Sequence, residues 1–315
     1  MSQKPVLLFG PIPEEKILPA AHRGITFTVG SLEYGKLLSE KMKQVNMIAQ
    51  CHLKIDTGLN RSGLPWRDAS SDLSAILCAR NLPNLEFTGC YTHLACGDGI
   101  LDWEQDFTAL QISRFEEACE AIRSHGFSLG IRHCAATGGA LVHPEYRMDM
   151  VRLGMLPMGM SYSDESVDAL NLTPALTWVS YVRQIKAVRA GEPISYGCTF
   201  CAPSDMRIGI VSCGYADGYR RAYSGKSSVL IGGVKVPVVG RIAMDYTMVD
   251  LTDVENAGIG MPVILLGADG ENMVTAQELS PMAESVSGEV TCAISARVPR
   301  LYSDILEEVN DTCTT

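Results

Sequence analysis

The sequence predicts an α/β domain with a parallel sheet, followed by a second domain that is rich in β-strands. Two observations indicate the first domain: short apolar runs recur through the first half of the chain, and stretches of helical periodicity lie between several of them. That alternation is typical of βα units. A third observation indicates the second domain, since the pattern changes near residues 171–174 to short strands and turns. The predicted domains are residues 1–170 and 171–315.

The elements of the first half follow from these patterns in order. A serine N-cap at Ser31 opens a predicted helix over 31–42, and helical spacing of apolar residues predicts another over 103–124. The predicted strands lie at 6–9, 25–29, 51–55, 85–93, 130–135 and 150–153. A (β/α)8 barrel needs eight strands and about 250 residues, rarely fewer than roughly 200. Six strands in the first 170 residues therefore predict a barrel-type domain that lacks about two βα units, or an open sheet with unpaired edges.

In the second half, the sequence predicts strands at 176–188, 206–213, 228–239, 247–251 and 262–266. The pair Gly232-Gly233 between two apolar runs predicts a tight hairpin, because type I′ turns need positive φ angles. One helix is predicted over 275–285.

Charge and hydropathy exclude several classes of protein. The formal net charge of −10 argues against a nucleic-acid-binding protein, which usually carries a basic surface. No apolar run approaches the roughly 18 residues of a membrane-spanning helix, and the N-terminus has no clear signal-peptide cleavage site. We therefore expect no nucleic-acid partner and no membrane partner.

The 11 cysteines indicate a reducing, cytoplasmic location, because their number is odd and a chain of 315 residues does not need disulfides to fold. Cys198 and Cys201 form a lone C-x-x-C pair without a second pair at zinc-binding spacing. We therefore predict no metal site.

The most informative segment is 214–221, GYADGYRR, which follows an apolar strand. It places Tyr215 near Arg220 and Arg221, and nearby cations lower a tyrosine pKa enough for the phenol to act as a base. Most isolated tyrosines pack in cores or lie on surfaces, so this interpretation depends on the surrounding motifs.

Seven short motifs in order make the chain resemble the alanine racemases, a family that uses pyridoxal 5′-phosphate (PLP). They are HLKIDTGLNRSG at 52–63, TH at 92–93, HCAAT at 133–137, MVRLGM at 150–155, GYADGYRR at 214–221, GRIAMD at 240–245 and SARVPR at 295–300. The resemblance implies a PLP-binding (β/α)8-type barrel, N-terminally incomplete, followed by a β-rich C-terminal domain. It also implies a homodimer, interconversion of L- and D-alanine by two bases, and a supply of D-alanine for peptidoglycan.

On the cofactor side, the resemblance implies roles for five residues. Arg152 meets the pyridine nitrogen of PLP, and His93 helps orient the network of Arg152 and Tyr215. The hydroxyl of Thr137 and the backbone N–H groups of Gly154 and Met155 bind the phosphate. The adjacent His133 is an equally good candidate for a structural role and for a functional one.

On the substrate side, the resemblance implies that Tyr215 is one base and acts across the dimer interface. Met244 and Asp245 come from the partner subunit and lie near the substrate, while Arg61 contacts the substrate carboxylate or the phenolate oxygen of the cofactor. Lys54 occupies the position that is often carbamylated in the family, although a strand lysine can also simply face solvent.

One feature of the family has no counterpart in the sequence. The Schiff-base lysine lies in a K-A-N-A-Y-G motif at the end of the first barrel strand, and no lysine of this chain occupies such a motif. The segment 5–11 resembles the family's third strand, so the part without a counterpart is the first two βα units. Because that lysine is also the second base, we expect the chain alone to bind PLP weakly and nearly to lose racemisation.

Three hypotheses remain open from the sequence. The chain is an alanine racemase gene product recorded from a late start or cut short, or it is a non-catalytic partner subunit that completes the site of a lysine-bearing partner chain. The third hypothesis is a serine racemase of the same family. Alanine and serine differ by one hydroxyl, and a small pocket discriminates only weakly between two such substrates. A PLP decarboxylase on a related barrel fits the tyrosine and Met-Asp motifs less well.

Overall fold

The computed structural model describes residues 4–160 and 172–302. By its internal contacts the chain divides into two compact units, Met1–Gly154 and Met155–Thr315. The domain boundary predicted between residues 170 and 171 lies outside the described residues.

The first unit alternates helices and strands as the sequence pattern predicts. Its elements are α1 (Glu14–Ala21), β1 (Phe27–Val29), α2 (Leu32–Gln44), β2 (Ala49–Asp56), β3 (Leu64–Pro65), α3 (Ala69–Arg80), β4 (Leu85–Tyr91), α4 (Asp102–Ser124), β5 (Ile131–His133) and α5 (Thr137–Val142). The predicted N-cap is confirmed, because the Ser31 hydroxyl accepts a hydrogen bond from Tyr34 N–H at 3.2 Å.

The strand order of the first unit identifies its architecture. Strands β1, β2, β4 and β5 lie side by side in chain order, and every pair is parallel. Isolated parallel bridges extend the same order, from Leu7 to Thr26 at one side and from Ala136 to Arg152 at the other. A doubly wound sheet reverses its strand order, whereas barrel strands succeed one another in chain order. The unit is therefore a barrel-like α/β domain.

Two strands that the sequence predicts, at 6–9 and 150–153, are reduced to these single bridges at Leu7 and Arg152. The helices cover the sheet through a common apolar core that includes Ile17, Leu53 and Phe115, each fully buried. The core fixes β2 and β4, and the carboxyl ends of these two strands carry most of the residues of the candidate site.

The second unit is built on an antiparallel sheet. Its strands are β6 (Trp178–Val188), β7 (Met206–Val211), β8 (Ser228–Ile231), β9 (Val234–Pro237), β10 (Thr247–Asp250), β11 (Pro262–Asp269) and β12 (Asn272–Val274). They lie in the order β10-β7-β6-β11-β8-β9, with β12 paired to β11. The predicted hairpin is confirmed: Ile231 pairs with Val234, and Gly232 and Gly233 have φ angles of 57° and 77°.

The helix predicted over 275–285 is wrong in extent. The structure has a short helix α6 (Ala276–Leu279), a 3₁₀ turn over Ser280–Ala283, and a further helix α7 (Ser287–Ala293). Pro281 lies in the 3₁₀ turn and has no N–H to continue the α-helical ladder. In the described part of the chain, no helix combines the length and the apolar composition that crossing a bilayer demands.

Candidate active site

The centre of the first-unit site is the guanidinium of Arg152, which donates hydrogen bonds only to uncharged acceptors. Its Nη1 lies 2.6 Å from His133 Nδ1, and its Nη2 lies 2.6 Å from the Cys134 carbonyl, 3.0 Å from the Thr92 carbonyl and 3.0 Å from His93 Nδ1. A guanidinium has five N–H donors. Among the described residues these bonds use Nη1 and Nη2, so the Nε–H group remains able to donate to a bound molecule.

His133, for which the sequence favours neither a structural nor a functional role, belongs to this site. It is completely buried, and burial, with Arg152 and His52 adding to it, lowers its pKa to about 3. The ring is therefore neutral at physiological pH. Because Arg152 donates to Nδ1, the proton of His133 lies on Nε2, which is 2.9 Å from Nδ1 of His52.

His93 lies at the carboxyl end of β4, where its loop is held by a buried glutamine. The amide of Gln111, itself fully buried, donates to the His93 carbonyl at 3.2 Å and accepts from Ala95 N–H at 2.8 Å. Burial lowers the pKa of His93 to about 4, and the cations Arg152, Arg61 and Lys54 add to that shift. His93 is thus a neutral acceptor for Arg152.

Tyr91 belongs to the site, although no sequence motif indicates a role for it. Its ring stacks on His133 with centroids 4.5 Å apart and 9° between planes, and the Arg152 guanidinium lies 5.2 Å from the ring centroid. Its hydroxyl hydrogen-bonds to Thr28 Oγ1 at 2.9 Å, and burial raises its pKa. Its position in the sequence could have identified it, because Tyr91 directly precedes the Thr92-His93 pair and is the last residue of β4.

Lys54 does not face solvent. Its residue is 4% exposed, its Nζ donates to Ser62 Oγ at 2.6 Å, and its ammonium lies 5.6 Å from the Tyr91 ring centroid. Burial lowers the pKa of Lys54, and the neighbouring positive charges of Arg61 and Arg152 lower it further. Arg61 itself is exposed. Lys54 is the only buried lysine within residues 4–160 and 172–302.

The predicted phosphate ligands are partly brought together. The backbone N–H of Gly154 donates to Thr137 Oγ1 at 2.8 Å, and the parallel bridge between Ala136 and Arg152 holds the two segments side by side. Met155 is buried and packs in the apolar core of the second unit, of which it is the first residue. Thr137 and Gly154 therefore form the local polar group next to Arg152.

In the second unit, Tyr215 and Met244 lie on two loops that are joined by backbone hydrogen bonds. Tyr215 N–H donates to the Ala243 carbonyl and Ala216 N–H to the Met244 carbonyl, each at 3.0 Å. The contact requires glycine at 214, because a Cβ there would lie 2.3 Å from the Ala243 oxygen. Tyr215 and Met244 are 48% and 53% exposed, so both side chains are available to a ligand or a partner.

Arg297, from the SARVPR motif, ties the same two loops together by charge. Its Nη2 lies 2.8 Å from Asp245 Oδ1 and its Nε lies 3.4 Å from Asp217 Oδ1. The structure pairs Arg220 with Glu289 at 2.5 Å instead of placing it against Tyr215, so the expected cation beside the phenol is engaged elsewhere. Three motifs far apart in sequence thus form one cluster in the second unit.

The two depressed histidine pKa values predict loss of stability in acid. His133 and His93 titrate near 3 and 4 in the folded chain and near 6.5 when unfolded. Between these values the unfolded chain binds protons that the folded chain does not, so the free energy of unfolding falls as pH falls below about 6.5. His133 alone contributes a loss of roughly 2–3 kcal/mol between pH 7 and pH 4.5, and the more exposed His93 contributes less.

Urea unfolding of the wild type and of His133→Asn at both pH values measures this effect. The variant should lack the part of the pH dependence that belongs to His133. His125→Asn is the matched control, because His125 is exposed and should leave the wild-type dependence unchanged. Equal pH dependence in the wild type and His133→Asn would contradict the burial argument.

Comparison with known protein families supports the same two parts of the chain. A family model described as "Alanine racemase, N-terminal domain" matches residues 1–162, and "Alanine racemase, C-terminal domain" matches residues 175–302. Curated alanine racemases of Methanococcus maripaludis and Symbiobacterium thermophilum are each 36% identical, over 95% of this chain and 79% and 78% of their own length.

Solved structures agree with these sequence matches. An alanine racemase of Clostridium difficile 630 superposes with a TM-score of 0.84 at 33% identity, covering 95% of this chain and 76% of that one. The alanine racemase of Streptomyces coelicolor A3(2) gives 0.85 at 29% identity, covering 96% and 78%. A structure from Bacillus anthracis, described with bound L-Ala-P, gives 0.84 at 30% identity, covering 95% and 76%.

Proposed function

Since this chain belongs to the alanine racemase family, we propose that it serves the interconversion of L- and D-alanine with PLP as the cofactor. The observation that carries the proposal is the Arg152 network of the first unit. A half-buried cation that donates only to carbonyls and neutral histidines, with an N–H still free, is suited to a ring nitrogen that must stay unprotonated.

The residues present fit this cofactor. Arg152 Nε–H offers a donor to the pyridine nitrogen. The Thr137 hydroxyl, which accepts from Gly154 N–H, can still donate its own proton to the phosphate. When bound, PLP supplies an electron sink for the electron pair left on Cα after proton removal. The remaining steps are the work of protein side chains.

Arg152 limits how far charge moves into the ring. A guanidinium does not readily give up its proton, so Arg152 would donate a hydrogen bond to the pyridine nitrogen of bound PLP without protonating it. Arg152 would thereby keep charge near Cα and disfavour transamination. The neutral state of His93 and His133 supports this role, since both accept hydrogen bonds from Arg152 instead of competing as acids.

Tyr215 is proposed as the base on one face of the substrate. Its exposed phenol stands on a loop fixed by the Gly214 contact and by the cluster around Arg297, so it is presented outward on an ordered support. We propose that it acts in the site of a second copy of the chain, in a homodimer, with Met244 and Asp245 beside the substrate. Small amino acids are the expected ligands.

Lys54 and Arg61 are proposed to act as a pair. In its present form Lys54 is a cation close to two arginines, which is unfavourable and lowers its pKa, so the fraction of free amine is raised. Carbamylation would convert this cation into an anion and turn the repulsion toward Arg61 into attraction. Arg61 would then be directed at the substrate carboxylate or the phenolate oxygen of the cofactor.

No lysine of the sequence lies in a K-A-N-A-Y-G motif, so the second base of the mechanism has no assigned residue. The matched part of the chain spans 76–79% of the length of the relatives named above. The assay below therefore supplies an amine from outside. A cytoplasmic site of action is part of the proposal, supported by the ten free cysteines of the described residues.

The function is tested by incubating the purified chain with PLP, L-alanine and methylamine and measuring D-alanine by chiral chromatography. We expect D-alanine to form faster than with PLP and methylamine alone, and far more slowly when the amine is omitted. L-serine in place of L-alanine distinguishes the serine racemase alternative, which predicts the faster reaction with serine. If the amine-supplemented chain never exceeds the protein-free rate, the proposed function is wrong for this polypeptide alone.

The partner-subunit alternative has its own test. A lysine-bearing racemase segment is added in place of methylamine, and activity should appear only in the mixture. A mixture that stays inactive while the methylamine reaction proceeds would remove this alternative.

A further inference from the structure

His52 is hydrogen-bonded to the Arg152 network through His133 and contacts neither Arg152 nor, by the proposed function, the substrate. His52 is 6% exposed and lies on β2. Its Nδ1 is 2.9 Å from His133 Nε2, and the two ring centroids are 5.1 Å apart. The histidine is thus the far end of a chain of hydrogen bonds that starts at the guanidinium.

We propose that His52 is a positioning residue, which fixes the proton of His133 on Nε2 and thereby holds His133 Nδ1 as an acceptor for Arg152. The proposal rests on the proposed function only in giving Arg152 its role. The chain of bonds itself is independent of any activity.

The two ends of the chain of hydrogen bonds select the same tautomer of His133. Arg152 can only donate, so its bond to His133 Nδ1 forms only while Nδ1 is unprotonated. A neutral His133 then carries its proton on Nε2 and needs an acceptor in a site from which water is excluded, because a buried donor without a partner is costly. His52 Nδ1 is that acceptor, which in turn places the proton of His52 on its own Nε2.

The backbone is shaped to seat the His52 ring. A Cβ at position 89 would lie 2.4 Å from His52 Cε1 and 2.5 Å from each ring nitrogen, so the imidazole lies directly against Gly89. The register between β2 and β4 shifts at this point, with Cys51 opposite Phe87 but His52 opposite Gly89. The shift brings a glycine, and not Thr88, to face the ring.

The opposite side of His133 is fixed as well. Tyr91 stacks on its ring with an angle of 9° between planes, and the Tyr91 hydroxyl is held by Thr28. His133 therefore cannot rotate away to find another acceptor without unstacking. Its Nε2–H depends on His52.

A graded series of substitutions at His52 separates a hydrogen-bonding role from simple packing. In His52→Asn the amide oxygen occupies about the place of Nδ1 and can still accept from His133. In His52→Gln the amide is one methylene further out and the acceptor is displaced. His52→Leu keeps apolar bulk without an acceptor, and His125→Asn is the control at an exposed histidine.

The readout is the tautomer of His133, measured by long-range ¹H–¹⁵N correlation spectra of the labelled chain near pH 7. The wild type, His52→Asn and His125→Asn should show one tautomer with Nε2 protonated. His52→Leu and His52→Gln should show mixed tautomers, and solvent exchange of the His133 Nε2–H should be at least about tenfold faster than in the wild type. In the amine-supplemented assay these two variants should lower kcat more than they raise KM, with recovery in His52→Asn.

An unchanged tautomer and unchanged exchange in His52→Leu or His52→Gln would overturn the proposal, and so would a loss as large in His52→Asn. If His52→Leu does not fold, the comparison of His52→Asn with His52→Gln decides the matter alone. Because the spectra need neither cofactor nor turnover, failure of the racemase assay leaves this test intact.

Discussion

Replacing Tyr215 with phenylalanine is expected to lower racemisation in the amine-supplemented reaction about 10²–10⁴-fold, the range that removal of a general acid–base group costs. The expected cause is loss of proton transfer on one face of the substrate, so exchange of the Cα proton in D₂O should fall much more for one alanine enantiomer than for the other. Stability should change by less than about 0.5 kcal/mol, because the side chain is 48% exposed.

The matched control is Tyr196→Phe, in which a still more exposed phenol of the same unit loses the same hydroxyl. It should retain wild-type rates for both enantiomers. Equal losses for L- and D-alanine in Tyr215→Phe would contradict a one-face base and would assign Tyr215 to binding instead. Rates equal to the wild type would remove Tyr215 from the mechanism.

Replacing Arg152 with leucine is expected to give the largest change in stability. The substitution leaves His133 Nδ1, His93 Nδ1 and two carbonyl oxygens without their donor, and each buried unsatisfied group costs roughly 1–3 kcal/mol. We expect a loss of several kcal/mol in urea unfolding. The pKa of His93 should rise above its value of about 4, since Arg152 is one cause of the depression, and NMR titration measures this directly.

Arg152→Lys keeps the positive charge but not the planar array of donors. The variant should keep the pKa of His93 low. It should still be less stable than the wild type and should lose most of the contribution that Arg152 makes to PLP binding. Arg123→Leu, at an exposed arginine of α4, is the control and should change stability by less than about 0.5 kcal/mol. Similar unfolding curves for Arg152→Leu and Arg123→Leu would contradict the central place of the guanidinium network.

The sequence predicted the parts of the fold that depend on local signals. The serine at position 31 marks the start of α2, and the Gly232-Gly233 pair marks the hairpin between β8 and β9, because both depend on the conformational preferences of one or two residues. The predicted end of the helix after residue 275 was wrong for a local reason as well. Pro281 interrupts the α-helical hydrogen bonds, and the spacing of apolar residues does not reveal this. The short α5 contains the adjacent Gly138 and Gly139, which are poor helix formers.

Residues of the candidate site that lie in motifs were predicted from the sequence. Residues whose role depends on a contact between distant strands were missed. Arg152, His93 and Lys54 were predicted from their motifs. The structure joins Arg152 to His93 by a hydrogen bond and places Lys54 and Arg152 near the Tyr91 ring. The bond between His52 and His133 joins residues 81 positions apart and requires the strand order β2-β4-β5. Tyr91 has no motif of its own, and its stacking on His133 follows from the same strand order.

A crystal structure of the chain soaked with PLP tests the proposed role of Arg152 most directly. We expect the pyridine nitrogen within hydrogen-bonding distance of Arg152 and the phosphate at Thr137 and Gly154. His52, His133 and Arg152 should be joined by the hydrogen bonds described here. A pyridine nitrogen facing a carboxylate, or PLP bound only away from Arg152, would contradict that role.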